Sequence, residues 1–505
     1  MLVILTMSSF VVVLDFASMF IPLPTIMEDL AGTLDEATWV IAAFILAFAV
    51  FLLPCATLVN YYGKRRLFLS GVMIFTVASI ACALTSSMAF LIGARVVLGI
   101  GAAMVEAAVF ALIKANIPGE KQSFAFKVQG IAFVLGALLG TPLSGAITTG
   151  LSWEYIFWLN VLVGVVVGLV GLRVIPKSSP VQVPKRIDIP GLIFSGSGLF
   201  LLFFAIIEGT RFGWHSLLIL GSFVGSVALL VLFVMNELRV QERLVDLRLF
   251  KDRRFGVGNV LRWASEFASM GIYFAISHFV QVQLGHSALV TGLLLMSVMI
   301  GGILITPITE PLSKRVDGRW LIVPGFLLVA GGTFWLAHVS PESGWAFFLA
   351  PLAIAGAGFV AQEDPTVSAR DRDILPEQSD AAWRVSYTIF LLGVGLGVSV
   401  VSAVWQSQLV SNMKEVMASN DLPTRITNRI SSSLFDEGIS GQPAAEISGA
   451  TEVQQLIQMA FADAVNTALL SCVTVALLGA IIALFFISNR NKTTSMDEIN
   501  DKSSS

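Results

Sequence analysis

Charge is what this sequence has least of. Asp, Glu, Lys and Arg make up 13% of its residues, against roughly 25% in a soluble domain. With 56% hydrophobic residues and a mean hydropathy of +0.83, an ordinary water-soluble globule is excluded. The formal net charge of −3 gives no pull toward nucleic acid. Three cysteines, Cys55, Cys82 and Cys472, lie in apolar runs without metal or redox spacing and read as small buried hydrophobes. Four histidines, His215, His278, His286 and His338, fall mostly near the ends of such runs and read as interfacial. No Gly-rich phosphate loop, nucleophile motif or metal cluster is present, and the loops are too short for a catalytic domain. The expectation is a non-enzyme with no metal and no cofactor. A basic leader is also missing: the first apolar run leads straight into Glu28 and Asp29, so it reads as a retained span.

What is present is a series of apolar runs, each near the ~20 residues that cross hydrocarbon. There are about fourteen: 2–24, 38–60, 67–87, 88–112, 124–149, 154–175, 190–209, 215–236, 255–281, 288–311, 320–339, 344–366, 381–409 and 461–488. Alternate loops are basic, carrying Lys64, Arg65 and Arg66; Lys114, Lys121 and Lys127; Lys177, Lys185 and Arg186; and Arg239 to Arg254. Lys314, Arg315 and Arg319, then Arg370 and Arg372, then Arg490 and Lys492 continue the alternation. The positive-inside rule puts both termini in the cytoplasm, which requires an even number of spans. The expected location is the inner (plasma) membrane.

Residues 58–71 (LVNYYGKRRLFLSG) and 312–325 (LSKRVDGRWLIVPG) repeat a basic turn between a second and a third span. The simplest account is an all-α polytopic membrane protein with two six-helix bundles, 1–175 and 255–489. Between them, 176–254 holds two inserted helices and a connector, in which 238–250 reads as amphipathic at helical spacing. Residues 411–458 read as a polar extracellular loop or hairpin, and 490–505 as a cytoplasmic tail. Internal repeats of this kind build alternating-access transporters.

These motifs resemble the major facilitator superfamily, and the span count resembles its fourteen-span drug:proton antiporter branch. Leu14-Asp15 with Pro22 and Pro24 resembles that branch's first-helix motif. Residues 56–66, ending in Gly63, Lys64, Arg65 and Arg66, are similar to the superfamily's loop motif; Ala56 and Asn60 replace its first Gly and its Asp. The resemblance implies that this Asp latches the two halves in one state. Arg95 with Gly99 and Gly101 resembles the fourth-helix motif, with Leu98 in place of its Gln. Gly136, Gly140, Pro142 and Gly145 resemble the fifth-helix antiporter motif, with the proline one place displaced and Thr141 at its usual position. Trp153, Phe157 and Asn160, and the block 245–255, are similar to that branch too. The resemblance further implies that spans one, four, nine and twelve line a central cavity, and that a proton gradient supplies the energy.

Those four spans carry most of the intramembrane charge: Asp15, Arg95, Glu106, Arg262, Glu266, Glu363 and Asp364. Ionisable residues in spans face a cavity or one another. Arg95 and Glu106, eleven apart, share one helix face within about 20° and lie about 16 Å apart along the axis. Arg262 and Glu266, at i and i+4, reach each other, either as a structural pair or as part of a site. Asp15 has no partner in its own helix; proton coupling and helix packing are both open. Glu106 marks either substrate preference or a pairing near Arg95 or with a cytoplasmic lysine. Glu363 and Asp364 either bind a cation or mark the edge of hydrocarbon, with Arg384 a candidate partner. Glu208 reads as interfacial. Phe16, Phe20, Trp263 and Phe267 line the cavity or face lipid.

The function expected from all this is proton-coupled export of small lipophilic, mainly cationic compounds by alternating access. A lipid or specific-metabolite transporter of the same fold is the alternative, and a non-transporting receptor or enzyme the third reading. Expected partners are the small substrate, protons and membrane lipids. A monomer is expected, and no sequence feature supports a periplasmic adaptor.

Overall fold

The computed structural model describes residues 1–177, 188–240, 243–419 and 451–487, and no strand occurs among them. Helix α1 (Leu2–Ser18) breaks before α2 (Leu23–Asp29), and the two are bent by 67°. Pro22 and Pro24 remove backbone donors at that break. Helix α3 (Leu34–Tyr62) opens with a capping box: Thr33 Oγ1 accepts from the Glu36 N–H at 3.3 Å, and Glu36 Oε2 accepts from the Thr33 N–H at 2.9 Å. Gly63, at φ +90°, turns the chain into α4 (Lys64–Ala83), a backbone conformation that L side chains rarely adopt. Next come α5 (Met88–Asn116), α6 (Gly119–Gly150) and α7 (Glu154–Val174).

The inserted segment holds α8 (Ile189–Ile207), a single turn α9 (Gly209–Phe212) and α10 (Leu217–Arg239). The second half holds α11 (Arg253–His278), α12 (Ala288–Ser313), α13 (Arg319–Leu336), α14 (Leu349–Asp371), α15 (Ser379–Ser419) and α16 (Thr451–Phe486). Twelve of the described helices are long and apolar enough to cross a membrane, and the bent α1–α2 pair makes thirteen. The fourteenth expected span is α11, which is 26 residues long but carries Arg253, Arg254, Arg262 and Glu266. Leu217, Val224, Leu304 and Phe485 are more than two-thirds exposed, as a surface solvated by lipid requires. Cys55, Cys82 and Cys472 are buried and unbonded.

The two bundles repeat each other's packing. In the first, α1 lies on α6 and α7, α5 on α3 and α4, and α4 on α7. In the second, α11 lies on α15 and α16, α14 on α12 and α13, and α13 on α16. The repeated basic turns end alike as well. Arg65 donates to the carbonyl of Leu172 at the end of α7, and Arg319 Nε donates to that of Ile487, past α16, at 2.8 Å. Each guanidinium thus satisfies a carbonyl left over at the terminus of its bundle's last helix.

Three expectations need correction. Residues 411–419 and 451–458 are helical extensions of α15 and α16 rather than loop, and 420–450 lie outside the described residues. Residues 238–250 do not form one amphipathic helix: α10 ends at Arg239 and a 3-10 turn covers Leu247–Lys251. The Glu237 carboxylate accepts from the Leu244 and Val245 N–H groups at 3.3 and 3.2 Å, which folds the chain back onto α10. His278 is buried, not interfacial, and its ring stacks on Phe274 and meets Trp405 edge-on. The side chain of Asn60, residues Lys185 and Arg186, and the tail 490–505 lie outside what is described.

The halves meet along two seams, α6 on α12 and α3 on α15. At the end away from the basic loops the meeting is backbone on backbone. A Cβ added at Gly145 would lie 2.5 Å from the Ala288 carbonyl oxygen, and one at Gly292 would run into that of Thr141. Ser277 Oγ donates to Phe20 O at 2.6 Å, Thr38 and Ser402 share a 2.7 Å hydrogen bond, and Gln406 donates to Asp35 at 2.7 Å. At the basic end side chains meet: Lys114 pairs with Asp380, and the rings of Phe110 and Trp383 stack at 4.2 Å. Gly292→Leu should therefore wedge the first seam. The expected result is severalfold faster modification of a Ser277→Cys variant by a membrane-impermeant maleimide; unchanged modification would show that the seam does not need the glycine.

Candidate functional site

Helices α1, α5, α11 and α14 bring two different charge arrangements into the interior. The first is dry. Arg95 Nη1 on α5 lies 2.6 Å from Asp15 Oδ2 on α1, and both side chains are wholly buried. Asn160 Nδ2 on α7 donates to the other carboxylate oxygen at 2.6 Å. Arg95 Nε donates to the Val40 carbonyl on α3 at 3.1 Å, and its guanidinium lies 4.4 Å from the centre of the Phe44 ring. One charge pair thus ties four helices of the first bundle together. Asp15 is not the lone carboxylate that its own helix suggested, because its partners come from α5 and α7. Gly136 and Gly140 let α6 press against α1 at Phe10 and Ala17, directly beside this network.

The second arrangement is half open. Arg262 Nη2 lies 3.4 Å from Glu266 Oε1, one turn on, while Nη1 pairs with Glu363 across on α14. The three side chains are 20%, 13% and 34% exposed, so this cluster keeps an accessibility that the Asp15–Arg95 pair lacks. One cation faces two acids. Glu363 takes Arg262 rather than Arg384, which instead lines a hollow at the basic end with Lys64, Lys114 and Asp380. Asp364 points away from Glu363 into another hollow at that end, among Arg254, Lys314, Arg315 and Arg372.

Glu106 completes the set from the first bundle. It is 3% exposed, and its Oε1 has no hydrogen-bond partner among the described residues. Ser9 on α1 faces its carboxylate. Neither Arg95 nor a basic-end lysine pairs with Glu106 among the described ion pairs. Between Glu106 and the Arg262 cluster stands Tyr387 of α15, within the electrostatic reach of both. Tyr387 stacks on Trp383 at 5.4 Å and on Phe390 at 5.4 Å, and Phe390 lies under Arg262 at 4.9 Å. An aromatic ladder therefore runs from Phe110, beneath Lys114, to Arg262. The sequence reading missed this ladder; the Trp383–Tyr387–Phe390 spacing was its signal. Glu208 caps the end of α8, is 8% exposed and accepts from Trp39 Nε1 at 3.1 Å.

Residues 5–398 match the model of the Major Facilitator Superfamily. The chain belongs to that superfamily. It is 28% identical over 481 residues to an uncharacterized MFS-type transporter of Mycobacterium tuberculosis, covering 95% of this chain and 79% of that one. It is 28% identical to the multidrug export protein EmrB of Escherichia coli (81% of this chain, 80% of the other). It is 25% identical to the riboflavin transporter RibZ of Clostridioides difficile (82% and 89%). In fold it is similar to a bacterial homolog of the human lysosomal transporter Spinster in its inward-facing, unoccupied conformation, with a TM-score of 0.66, 16% identity and 98% coverage of both chains. This member of the superfamily is a multi-pass membrane transporter of small substrates.

The dry pair generates a stability prediction. Removing one partner of a buried ion pair costs about 3–5 kcal/mol, because the other charge stays buried and unpaired. Asp15→Asn should lower the thermal unfolding temperature of the purified transporter accordingly, and replacing both Asp15 and Arg95 by Leu should recover most of the loss. Unfolding of Asp15→Asn at the wild-type temperature would rule out the tether.

Proposed function

We propose that this transporter is a proton-driven exporter of lipophilic, mainly cationic compounds, working by alternating access across the inner (plasma) membrane with both termini in the cytoplasm. The observation that carries the reading is the excess of carboxylates where the halves face each other: Glu266 and Glu363 share Arg262, and Glu106 lies across Tyr387 from them. A cation bound there competes with protons for the same acids. Deprotonated acids hold the cargo, and protonation releases it, so each ligand favours a different state and the exchange can turn the equilibrium. The aromatic ladder offers π faces to a flat cation. The family likeness to multidrug export proteins supports the same reading.

In this mechanism Arg262 keeps Glu266 and Glu363 apart from each other's charge and yields when a proton or cargo arrives. Asp15 and Arg95 hold α1, α5 and α7 as one rocking unit. Gly63, Lys64, Arg65 and Arg66 form the hinge turn at the cytoplasmic end, while Gly136, Gly140, Pro142 and Gly145 let α6 slide against α1 and α12. Asp364 stands at the cytoplasmic mouth. The proton gradient is the energy source, and the working unit is a monomer. A carrier of one specific metabolite is the second reading, favoured by the likeness to a riboflavin transporter.

The test uses the purified chain in liposomes with an imposed proton gradient and an internal pH dye. Lipophilic cations should drive proton release from the wild type. Glu106→Gln and Glu363→Gln should each reduce it at least about tenfold, the loss expected for a coupling acid. If riboflavin moves and no cation does, the second reading replaces the first.

A further inference from the structure

We propose a second, lateral binding site for a protonated lipophilic amine, set between the first bundle and the inserted helix α8 and headed by Glu208. It lies outside the central cluster, and nothing in the export mechanism uses it. The cavity is about 740 Å³, inside the roughly 300–1,000 Å³ range of small-molecule sites. Its walls come from α3, α5 and α8 and are almost entirely apolar: Leu46, Val50, Ile92, Ile193, Phe200 and Phe204 among them. The ring of Trp39 sits 5.8 Å from that of Phe200, which stacks on Phe204 at 6.2 Å. Gly196 keeps the floor low, since a Cβ there would come within 3.2 Å of Val50.

Glu208 is the ionisable side chain of this lining. Trp39 Nε1 satisfies Oε1, but Oε2 is buried with no hydrogen-bond partner among the described residues. Arg211, one turn on, forms an ion pair with Oε2 across 3.7 Å, too long for a hydrogen bond, and its side chain is 54% exposed. Asp35 on α3 lies in the same field, so that two acids, Asp35 and Glu208, face one exposed cation, Arg211. An apolar crevice would be filled by any acyl chain, and an acyl chain has no use for a carboxylate. The buried oxygen, which accepts no hydrogen bond, selects a ligand whose apolar body ends in an N–H donor of positive charge. A protonated amine donates to Oε2 while its hydrocarbon fills the cavity. The site also touches the machinery that moves. Helix α8 packs on α3 and on α15, with Phe203 against Gly395, so an occupant leans on a seam between the halves.

The experiment is photolabelling of the full chain in phosphatidylcholine–phosphatidylglycerol nanodiscs without any gradient. The probes are a long-chain alkylamine and the matching alcohol, each carrying a benzophenone. Attachment sites are mapped by mass spectrometry. The amine should label α3 and α8 about tenfold more than the alcohol, the ratio that a charge-assisted hydrogen bond supports. Glu208→Gln should bring the two probes level, and Gly196→Leu, which keeps the carboxylate and fills the floor, should reduce both. Equal labelling of the wild type by amine and alcohol would mean a crevice for acyl chains only and would overturn the proposal, as would an amine preference that persists in Glu208→Gln. Binding is read here without transport, so a failed export assay leaves this result standing and the reverse holds too.

Discussion

A carboxylate placed in hydrocarbon is opposed by at least ~3 kcal/mol even on the mildest scales, and nearly everything about this transporter's interior follows from how it meets that constraint. It does so in two ways. Asp15 is enclosed with Arg95, Asn160 and a cradle of backbone and aromatic groups, with every carboxylate oxygen engaged and no exposure. Glu266 and Glu363 share a single arginine and remain partly open. The closed arrangement suits a joint that must not move within its bundle. The open one leaves carboxylate capacity that a proton or a cation can use. Glu106, buried and under-partnered, belongs with the second kind although it comes from the first bundle.

The internal repeat gives the two halves equivalent packing, yet the ends of the molecule are closed by unequal means. At one end glycines bring backbone to backbone across α6 and α12, and hydroxyl and amide hydrogen bonds cross beside them. At the basic end the closure consists of a partly exposed Lys114–Asp380 pair and one aromatic stack. Exposed ion pairs contribute only about 0.2–1 kcal/mol, so the basic-end closure is the weaker one. The same stack continues through Trp383, Tyr387 and Phe390 to Arg262, which places the weak closure in mechanical contact with the open charge cluster.

The inserted pair departs from the two-bundle plan without breaking it. Helices α8 and α10 pack chiefly on each other, and α8 reaches both halves. That position creates a hollow whose walls come from α3 and α5 of the first bundle and from the inserted α8. No repeat in the sequence corresponds to it.

Fold class was legible in the sequence because its determinants are local. Span length, alternating basic loops and the repeated Gly-Lys-Arg-Arg and Gly-Arg turns each act within some twenty residues. Pro22 and Pro24 marked the break after α1 for the same reason. The charged positions were legible too, since an ionisable residue in an apolar run stands out wherever it points. Their partners were not. Arg262 and Glu266 could be paired on paper because they share a helix, but Asp15 with Arg95 and Asn160, Arg262 with Glu363, and Trp39 with Glu208 join residues 80 to 169 positions apart or lie on separate helices. Helical spacing carries no information across helices. Only the packing of the bundles decided which acids are locked in pairs, which stay partly open, and which is buried beside an inserted helix.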